Sequence, residues 1–361
     1  MTILFFARRF YPLIGGVEKH VLEISKILVS KGHKVVVISE NPPKSHSTSY
    51  QSDSSSARPA GKLKNLESYN INPGKDDWFK KFRIWRQLWK HRDLIRSADV
   101  VHCHDVFFWY LPFRFLFPFK KVYTTFHGYE GNKIPNKKAI FMHKLAEKLS
   151  NGNICVGDFL KKWYGTKPTF VTYGAVSKIK NKELKIKNKS SEIIIVFIGR
   201  LEEETGIMEY LKTFNLVQKK HNELKLIVLG EGSQMNQAKK FVKNNKLNVE
   251  FKGFVKNIEI YLDRASFVFT SRYLGILESL MSKKYVLAVY NNEIKKDYLK
   301  MAPFADFISI SKDASEIRDE LEKYLINEKL KTFKMNQGYA WVKNQTWENM
   351  VNLYLRLWDT K

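Results

Sequence analysis

The sequence predicts an α/β protein of two doubly wound domains, each built on its own parallel sheet. Short β-rich runs alternate with segments of helical periodicity along the whole chain, a pattern typical of parallel sheets covered by helices on both faces. The 361 residues exceed the size of one ordinary domain. Residues 177–191 consist mainly of Lys, Asn and Ser, as interdomain connections do. We therefore expect a first domain over residues 1–176 and a second over residues 177–342.

The predicted strands form two series, one on each side of this connection. The first series is Ile3–Ala7, Lys34–Ser39, Asp99–His102, Lys121–Phe126, Asn153–Val156 and Pro168–Thr172. The second series is Glu192–Ile198, Leu224–Leu229, Asn248–Phe251, Ser266–Phe269, Val286–Tyr290 and Phe307–Ile310. Since helix-period segments separate the runs, each series is expected to pair into a sheet of its own.

Three other segments have distinctive compositions. Asn41–Asn65 is rich in Ser and Pro and predicts a long surface loop. Asp77–Arg96 has apolar residues at helical spacing among many cations. Either it forms a helix packed on the sheet with a basic outer face, or it lies on an anionic membrane surface. Residues 107–121 add aromatic and basic side chains that could dip into the same interface.

Charge and cysteine content restrict the class of protein. The net charge is +26, which suits nucleic acid, anionic lipid or phosphorylated small molecules as partners; a lysine-rich solvated surface without such a partner is the simpler explanation. The cations are spread along the chain without a nucleic-acid-binding motif, so no nucleic-acid partner is expected. Cys103 and Cys155 lie far apart and fit a reducing cytoplasm. No run approaches the ~20 apolar residues of a membrane span, so we expect a cytoplasmic protein, with the inner membrane face as an alternative location.

The first strand is followed by two glycines at the start of a predicted amphipathic helix. Gly15 and Gly16 stand where backbone N–H groups and the positive end of the helix dipole are free to meet an anion. For two glycines considered by themselves, a plain strand-to-helix turn is the preferred explanation. The stretch is not GxGxxG, so the fingerprint of nicotinamide and flavin sites is absent.

The second series places polar residues at the carboxyl ends of its strands. Arg200 follows Glu192–Ile198, at the edge where such sheets bind ligands. A guanidinium group binds a diphosphate with two parallel hydrogen bonds. The next strand ends in a tight turn at Gly230, on the same edge.

Five sequence blocks resemble the retaining glycosyltransferases of family 4 in order and spacing. They are GGVEKHVLEISKILVSKGHKVVVIS, VFIGRLEEETGI, LIVLGEG, VEFKGFV and ILESLMSKKYVLAVY. The resemblance implies a GT-B fold, with two Rossmann-like domains facing a central cleft. It also implies that a C-terminal helix, residues 343–361, crosses back to the first domain. The implied activity is hexosyl or related glycosyl transfer from a nucleotide-diphosphate sugar to a glycan, a lipid-linked acceptor or another hydroxyl.

The resemblance assigns a role to particular residues of the second domain. Arg200 would bind the donor diphosphate, and Glu278 would hold the ribose hydroxyls. Leu274 would lie in the segment whose backbone amides approach the distal phosphate. Val255 would line the base pocket, beside the turn at Gly230.

In the first domain the resemblance concerns two positions. Gly15 and Gly16 would face the diphosphate, and His127, in Thr-Phe-His-Gly after a strand, would face the donor sugar. A structural histidine at a strand end is the alternative for His127. Arg200 and helix N–H groups would stabilise the leaving diphosphate, so neither a metal nor another cofactor is expected. The leaving phosphate would accept the acceptor's proton.

Several positions depart from the family pattern. Thr270 stands where the family has the first of its paired glutamates, and Thr205 stands where it has a lysine. Lys283 and Tyr285 replace a glycine and a proline. Lys283, Lys284 and Lys295 are candidates for the missing cation. These departures motivate a second hypothesis, a catalytically silent protein that binds sugar nucleotides or glycans. The net charge alone motivates a third, a nucleic-acid-binding protein.

Overall fold

A computed structural model describes residues 1–12, 15–40, 65–129, 134–178 and 192–359. The chain divides into two compact units. The first consists of Met1–Tyr129, Pro135–Thr172 and Trp347–Lys361, and the second of Glu130–Ile134 and Tyr173–Thr346. The unit boundaries therefore lie at Thr172 and Trp347, whereas the sequence places them at 176 and 343. The predicted loop at Asn41–Asn65 and the predicted connection at 177–191 fall almost entirely outside the described residues.

The first unit contains a seven-stranded parallel sheet of order β3-β2-β1-β4-β5-β6-β7. Its strands are β1 (Thr2–Ala7), β2 (Lys34–Glu40), β3 (Leu66–Ile71), β4 (Val100–His104), β5 (Lys121–Phe126), β6 (Gly152–Val156) and β7 (Phe170–Thr172). The sequence analysis misses β3. This strand is an edge strand in which five of six residues are incompletely buried, so it lacks the continuous apolar run that marks the central strands.

The helices of the first unit are α1 (Gly16–Ser30), α2 (Lys80–Lys90), α3 (Arg92–Ser97), α4 (Phe107–Leu116), α5 (Lys137–Leu149) and α6 (Phe159–Tyr164), and one further helix from the end of the chain. The single helix predicted over Asp77–Arg96 is wrong. The segment forms two helices with His91 between them. Ile84 and Leu88 of α2 and Ile95 of α3 are buried, so packing fixes each helix separately.

The second unit contains a six-stranded parallel sheet of order β10-β9-β8-β11-β12-β13. Its strands are β8 (Ile193–Ile198), β9 (Leu224–Leu229), β10 (Val249–Gly253), β11 (Phe267–Phe269), β12 (Tyr285–Val289) and β13 (Ser309–Ser311). Its helices are α7 (Ile207–Gln218), α8 (Met235–Asn244), α9 (Glu259–Arg264), α10 (Tyr273–Met281), α11 (Glu293–Lys300), α12 (Ala314–Ile326) and α13 (Glu328–Val342).

Both sheets are doubly wound, which confirms the predicted fold class. The chain builds β1 to β3 toward one edge and then reverses at β4. In the second unit it builds β8 to β10 and reverses at β11. In sheets of this kind ligands bind outside the carboxyl ends of the strands at such a reversal. The sites of interest are therefore the ends of β1 and β4 and the ends of β8 and β11.

The last helix, α14 (Trp347–Asp359), belongs to the first unit, as the sequence predicts. It packs on α1, and its Tyr354 and Trp358 side chains are fully buried. Within the described ranges, no helix has the length and apolar character that crossing a membrane requires.

Candidate active site

The first helix begins beside open space. Gly15 is the N-cap of α1 with extended backbone, and Gly16 is the first helical residue. A Cβ built on Gly16 would meet none of the described atoms within 4 Å. The backbone conformation therefore does not demand these glycines. A Cβ on Gly15 would lie 2.3 Å from Glu18 Oε2, so the Glu18 carboxylate lies against the N-cap, and of the two glycines only Gly16 borders open space among the described atoms.

Four histidines converge near the carboxyl ends of β4 and β5, and we call them the histidine cluster: His20, His102, His104 and His127. His20 comes from α1, while His102 and His104 point to the same face of β4 because residues two apart in a strand do so. His127 follows β5 and lies 4.7 Å from His20 between ring centroids. The sequence analysis names only His127. The signal for the others is the alternating His-Cys-His at the end of a buried strand.

A chain of hydrogen bonds runs through the buried part of the cluster. Trp358 Nε1 donates to His102 Nδ1 at 3.1 Å, and His102 Nε2 lies 2.7 Å from Thr125 Oγ1. Thr125 Oγ1 lies 2.8 Å from the Tyr354 hydroxyl, which lies 2.8 Å from His20 Nε2. Because the indole N–H is only a donor, a fully bonded chain has one direction. His102 donates from Nε2, the two hydroxyls donate onward, and His20 Nε2 accepts.

A separate hydrogen bond joins the other two histidines. His104 Nδ1 lies 2.9 Å from His127 Nε2. The His127 backbone N–H donates to Asp105 Oδ1 at 2.8 Å, and Asp105 itself has a left-handed backbone with φ of 61°. Among the described residues, His104 Nε2 has no partner although it is buried. The backbone after β5 is thus held by Asp105, the residue directly after the neighbouring strand β4.

Burial keeps the whole cluster uncharged at neutral pH. It lowers the pKa of His20 to about 3. It also lowers the pKa values of His102, His104 and His127 well below the usual range, with further lowering by the neighbouring histidines. A protonated imidazole would lose its hydration in this apolar setting. Each ring therefore carries one proton and offers one lone pair.

Uncharged imidazoles are also metal ligands. His20, His104 and His127 each offer a ring nitrogen, and these atoms lie within 4.8 Å of one another. With metal–nitrogen bonds of about 2 Å, ligand atoms of a tetrahedral site lie roughly 3.3 Å apart. In the described structure His104 Nδ1 is hydrogen-bonded to His127 Nε2, and His20 Nε2 to the Tyr354 hydroxyl, so the histidines form a hydrogen-bonded cluster.

In the second unit, the loops after β8, β9 and β10 are joined by backbone hydrogen bonds. Gly199 N donates to Leu229 O at 3.2 Å, and Gly230 N donates to Gly253 O at 2.7 Å. Gly230 has φ of 142°, and a Cβ there would lie 1.8 Å from the Gly199 carbonyl oxygen. This position accepts only glycine, since the clash is with backbone. The turn at Gly230 thereby holds the loop that carries Arg200.

Arg200 shares a carboxylate with a second arginine that the sequence analysis does not name. Glu204 Oε1 lies 2.5 Å from Arg200 Nη2 and 3.0 Å from Arg272 Nη2. The side chain of Arg200 is 61% exposed and that of Arg272 is 34% exposed. Arg272 is the N-cap residue of α10, three residues after the end of β11. Two guanidinium groups thus meet at the reversal point of the second sheet with one carboxylate between them.

Both threonines that replace family residues are buried. Thr205 Oγ1 lies 2.6 Å from the Arg200 carbonyl oxygen and 2.7 Å from that of Glu202, so it closes the turn below Arg200. Thr270 is 1% exposed, and its hydroxyl has no hydrogen-bond partner among the described residues. A Cβ on Gly275 would lie 2.5 Å from Thr270 Oγ1. Both threonines therefore serve the packing of the loops.

The three candidate lysines lie in different places. Lys295 is fully buried, and its ammonium group donates to the Ser271 carbonyl oxygen. Burial lowers its pKa well below the usual range, Arg272 lowers it further and Glu204 acts in the opposite direction. Lys283 lies over the Tyr339 ring at 4.7 Å, and Lys284 donates to the Asp263 carbonyl oxygen. Only Lys295 of the three adjoins the arginine pair.

The remaining predicted positions lie on the same unit. Leu274 is the second residue of α10, and Glu278 lies one turn further along; both are half-buried. Val255 is half-buried in the segment after β10. The structure thus brings Arg200 and Leu274 to strand ends on either side of the reversal point. Gly230 follows β9 and Val255 follows β10, on the β8 side of the reversal point.

Comparison with known proteins gives a consistent identification. Residues 14–168 match Glycosyltransferase Family 4, and residues 177–340 match Glycosyl transferases group 1. No curated protein sequence matches the chain.

Three solved structures illustrate the similarity of fold. A glycosyltransferase from Rickettsia africae has a TM-score of 0.73 and 16% identity, and covers 99% of this chain and 97% of its own. A TarM variant from S. aureus, in complex with Fondaparinux, α-GlcNAc-glycerol and UDP, has a TM-score of 0.71 and 12% identity, and covers 99% and 100%. WaaG, a glycosyltransferase involved in lipopolysaccharide biosynthesis, has a TM-score of 0.66 and 11% identity, and covers 97% and 99%.

The two sequence matches fall on the two compact units and together account for most of the chain. Both sheets have the doubly wound topology on which these solved structures agree. The chain belongs to the GT-B glycosyltransferases, with a family 4 first half and a group 1 second half.

Proposed function

We propose that this glycosyltransferase uses a nucleoside-diphosphate sugar as donor and transfers the sugar, with retention, to a hydroxyl of a glycan or a lipid-linked acceptor. The observation that supports this class of donor is the pair of arginines, Arg200 and Arg272, which share the Glu204 carboxylate. The TarM structure with UDP supports the same donor class by analogy.

The arginine pair matches the charge of a diphosphate. Two guanidinium groups converge on one carboxylate at a partly exposed site. A diphosphate can displace the Glu204 carboxylate and take bidentate hydrogen bonds from both arginines. Arg272 then supplies the second cation that Thr205 does not supply. We propose that this site works without a metal or another cofactor, because the developing charge falls on the arginines and on helix N–H groups.

The other donor contacts are assigned from the positions of the remaining predicted site residues. The half-buried Glu278 carboxylate would accept hydrogen bonds from the ribose hydroxyls, and the backbone N–H of Leu274, in the first turn of α10, would donate to a phosphate. Val255 would line the base pocket, and Gly230 would keep that pocket open. From the first unit, Gly15 and Gly16 would face the diphosphate and His127 the donor sugar, and the leaving phosphate would accept the proton of the acceptor hydroxyl.

The donor proposal predicts a loss of nucleotide affinity when the arginine pair is broken. Arg200→Ala should weaken binding of the matching nucleoside diphosphate by roughly 1.5–3 kcal/mol, the value of a hydrogen bond to a charged group. Arg272→Ala should weaken it by a similar amount. The measurement is calorimetric titration, after a thermal-shift screen of UDP, GDP, ADP, CMP and a short oligonucleotide has identified the base.

Arg318→Ala is the matched control, because Arg318 is a partly exposed arginine of the second unit paired with an acidic neighbour, Asp319 at 2.7 Å. It should bind nucleotide as the unmodified protein does. Equal affinity in all three variants would remove the arginine pair from the donor site. A response to the oligonucleotide alone, lost with rising salt, would instead support a nucleic-acid partner.

A lipid-linked acceptor is supported by an aromatic patch on the first unit. We define the patch by its exposed side chains on and beside α2 and α4: Trp78, Phe79, Phe82, Trp89, Phe115 and Phe119. Trp78 is 83% exposed and Phe119 is 98% exposed. Trp85 Nε1 donates to the Phe108 carbonyl oxygen at 2.8 Å, which ties the two helices into one surface.

Cations surround this aromatic patch. Lys81, Arg86 and Lys90 are exposed on α2. A surface cavity of about 590 Å³ beside α4 is lined by apolar Phe117 and Phe119 together with cations, among them Arg96. Exposed aromatics among cations are the composition of surfaces that lie on anionic bilayers. We therefore propose that segments 77–96 and 107–121 rest on an anionic membrane surface at its cytoplasmic face.

Vesicle co-sedimentation tests the membrane proposal. The protein should pellet with anionic vesicles more than with neutral ones, and less so at high salt, because the cations account for part of the binding. The triple variant Trp78→Ser, Phe79→Ser, Phe119→Ser should lose most of the pelleting. Ile326→Ser with Phe333→Ser removes exposed apolar side chains from the second unit and should change nothing. Equal, negligible pelleting with both kinds of vesicle would reject the proposal.

A further inference from the structure

We propose that His104 is a positioning residue that holds His127 in the tautomer carrying its proton on Nδ1. His127 then presents an N–H donor, and no free lone pair, to the substrate. The tautomer follows from the hydrogen bonds of the first unit alone. Only the identity of the group that receives the His127 hydrogen bond rests on the proposed function, in which it is an oxygen of the donor sugar.

The first step is the geometry of the pair. His104 ends β4 and is 1% exposed, whereas His127 follows the neighbouring strand β5 and is half-buried. The register pairs His104 with Thr125, so His127 lies two residues beyond the paired position. The single described hydrogen bond between the two rings runs from His104 Nδ1 to His127 Nε2 at 2.9 Å. The Asp105 carboxylate fixes the His127 backbone N–H, which limits how far the ring can move away.

The second step is the proton count. Two uncharged rings share one hydrogen bond, so one ring donates and the other accepts. If His127 donated from Nε2, the proton of His104 would have to sit on its own Nε2. That nitrogen is buried, and none of the described groups accepts from it. If His104 donates from Nδ1, only an acceptor is left unpaired. Unpaired buried N–H donors are the rarer case in folded proteins, so His104 is the donor.

The third step is that the neighbouring histidine nitrogens with described partners are not available to bond His127 Nε2 in place of His104. Both nitrogens of His102 are engaged, with Trp358 and Thr125. His20 Nε2 is engaged with the Tyr354 hydroxyl. The lone pair of His127 Nε2 is therefore held by His104, and its Nδ1 must carry the proton.

This tautomer has a chemical consequence for sugar transfer. A ring with its lone pair committed to His104 cannot accept a proton from the acceptor hydroxyl. It can donate a hydrogen bond from Nδ1 to a sugar oxygen and so orient the sugar. His127 is thereby excluded as the base, which agrees with the proposed reaction, in which the leaving diphosphate oxygen accepts the proton of the acceptor hydroxyl.

Two substitutions at His104 distinguish the effect of losing its hydrogen bond to His127 from the effect of changing its side-chain volume. His104→Asn keeps a short amide donor near the position of Nδ1, while His104→Leu removes the donor and keeps an apolar side chain. The tautomer is measured by the ¹⁵N chemical shifts of histidine-labelled full-length protein, with His127 assigned through His127→Ala. We expect Nδ1–H and bare Nε2 for His127 in the unmodified protein and in His104→Asn. We expect a change of tautomer, or a mixture, in His104→Leu.

Kinetics give the second readout. His104→Leu should lower kcat by roughly threefold to tenfold, the value of one neutral hydrogen bond. The donor KM and the affinity for nucleoside diphosphate should stay unchanged, and His104→Asn should restore most of kcat. A structural role alone would not produce this split or the rescue.

The ¹⁵N spectrum of the unmodified protein tests the tautomer of His127 by itself, so the test does not depend on whether a variant folds. A proton on His127 Nε2 in that protein, or an unchanged His127 tautomer in folded His104→Leu, would overturn it. Failure of the proposed function looks different. The predicted Nδ1–H signal would be present, while no nucleoside-diphosphate sugar would serve as donor.

Discussion

His127→Ala should reduce sugar transfer on the order of 10²-fold, the usual cost of removing one positioned donor from an active site, while nucleoside-diphosphate affinity stays nearly unchanged. His127 is held at two points, by His104 on its ring and by Asp105 on its backbone. The side chains proposed above to bind the nucleotide, Arg200, Arg272 and Glu278, lie on the second unit, and the substitution leaves Gly15 and Gly16 of the first unit unchanged. The loss should therefore appear in kcat, measured with the donor that the nucleotide screen identifies.

His91→Ala is the control, because His91 is a half-buried histidine of the first unit between α2 and α3, outside the histidine cluster. It should retain full turnover. Full turnover in His127→Ala would assign His127 to structure alone. A protein that binds nucleotide tightly but transfers no sugar with any donor, in its unmodified form, would instead be the silent binding protein that Thr270 and Thr205 suggest.

Acidification should destabilise the first unit steeply between pH 6.5 and about pH 3. The unfolded histidines bind a proton near their ordinary pKa of about 6.5. Burial lowers the folded pKa of His20 to about 3 and also lowers those of His102, His104 and His127. Between these values the unfolded state binds more protons, so the free energy of unfolding falls as the pH falls. Each such histidine contributes up to about 1.4 kcal/mol per pH unit.

Urea unfolding followed from pH 7 to pH 4 measures this slope. His20→Gln removes one titrating ring and keeps an amide that can bond the Tyr354 hydroxyl, so its slope should be shallower by about 1.4 kcal/mol per pH unit below about pH 5.5. Ser25→Ala is the control, because Ser25 is a buried residue of the same helix without a titratable group. It should lower stability at every pH without changing the slope. An unmodified protein equally stable at pH 7 and pH 4 would contradict the burial of uncharged histidines.

Local pattern accounts for most of what the sequence predicts correctly. The central strands β1, β2, β8 and β9 are continuous buried runs, and such runs differ from helices in composition and length. The edge strand β3 escapes prediction because its half-exposed residues resemble a loop. The break at His91 escapes because the helical spacing continues across it. Periodicity reports which side chains are apolar, and it does not report where the backbone turns.

Sequence motifs also place Arg200, Gly230 and His127 at strand ends, because the carboxyl ends of parallel strands share one edge. Their partners depend on tertiary structure. Arg272 meets Arg200 only because β11 lies beside β8 in the sheet. His20 joins the histidine cluster only because α1 packs beside the ends of β4 and β5.

The sequence by itself determines the two doubly wound sheets, the family and the strand ends that carry functional residues. The tertiary structure alone decides which charges share a carboxylate, which histidines are uncharged and which nitrogen carries the proton. These properties depend on distances of about 3 Å between side chains from separate elements and on burial, which a linear pattern of residues does not record.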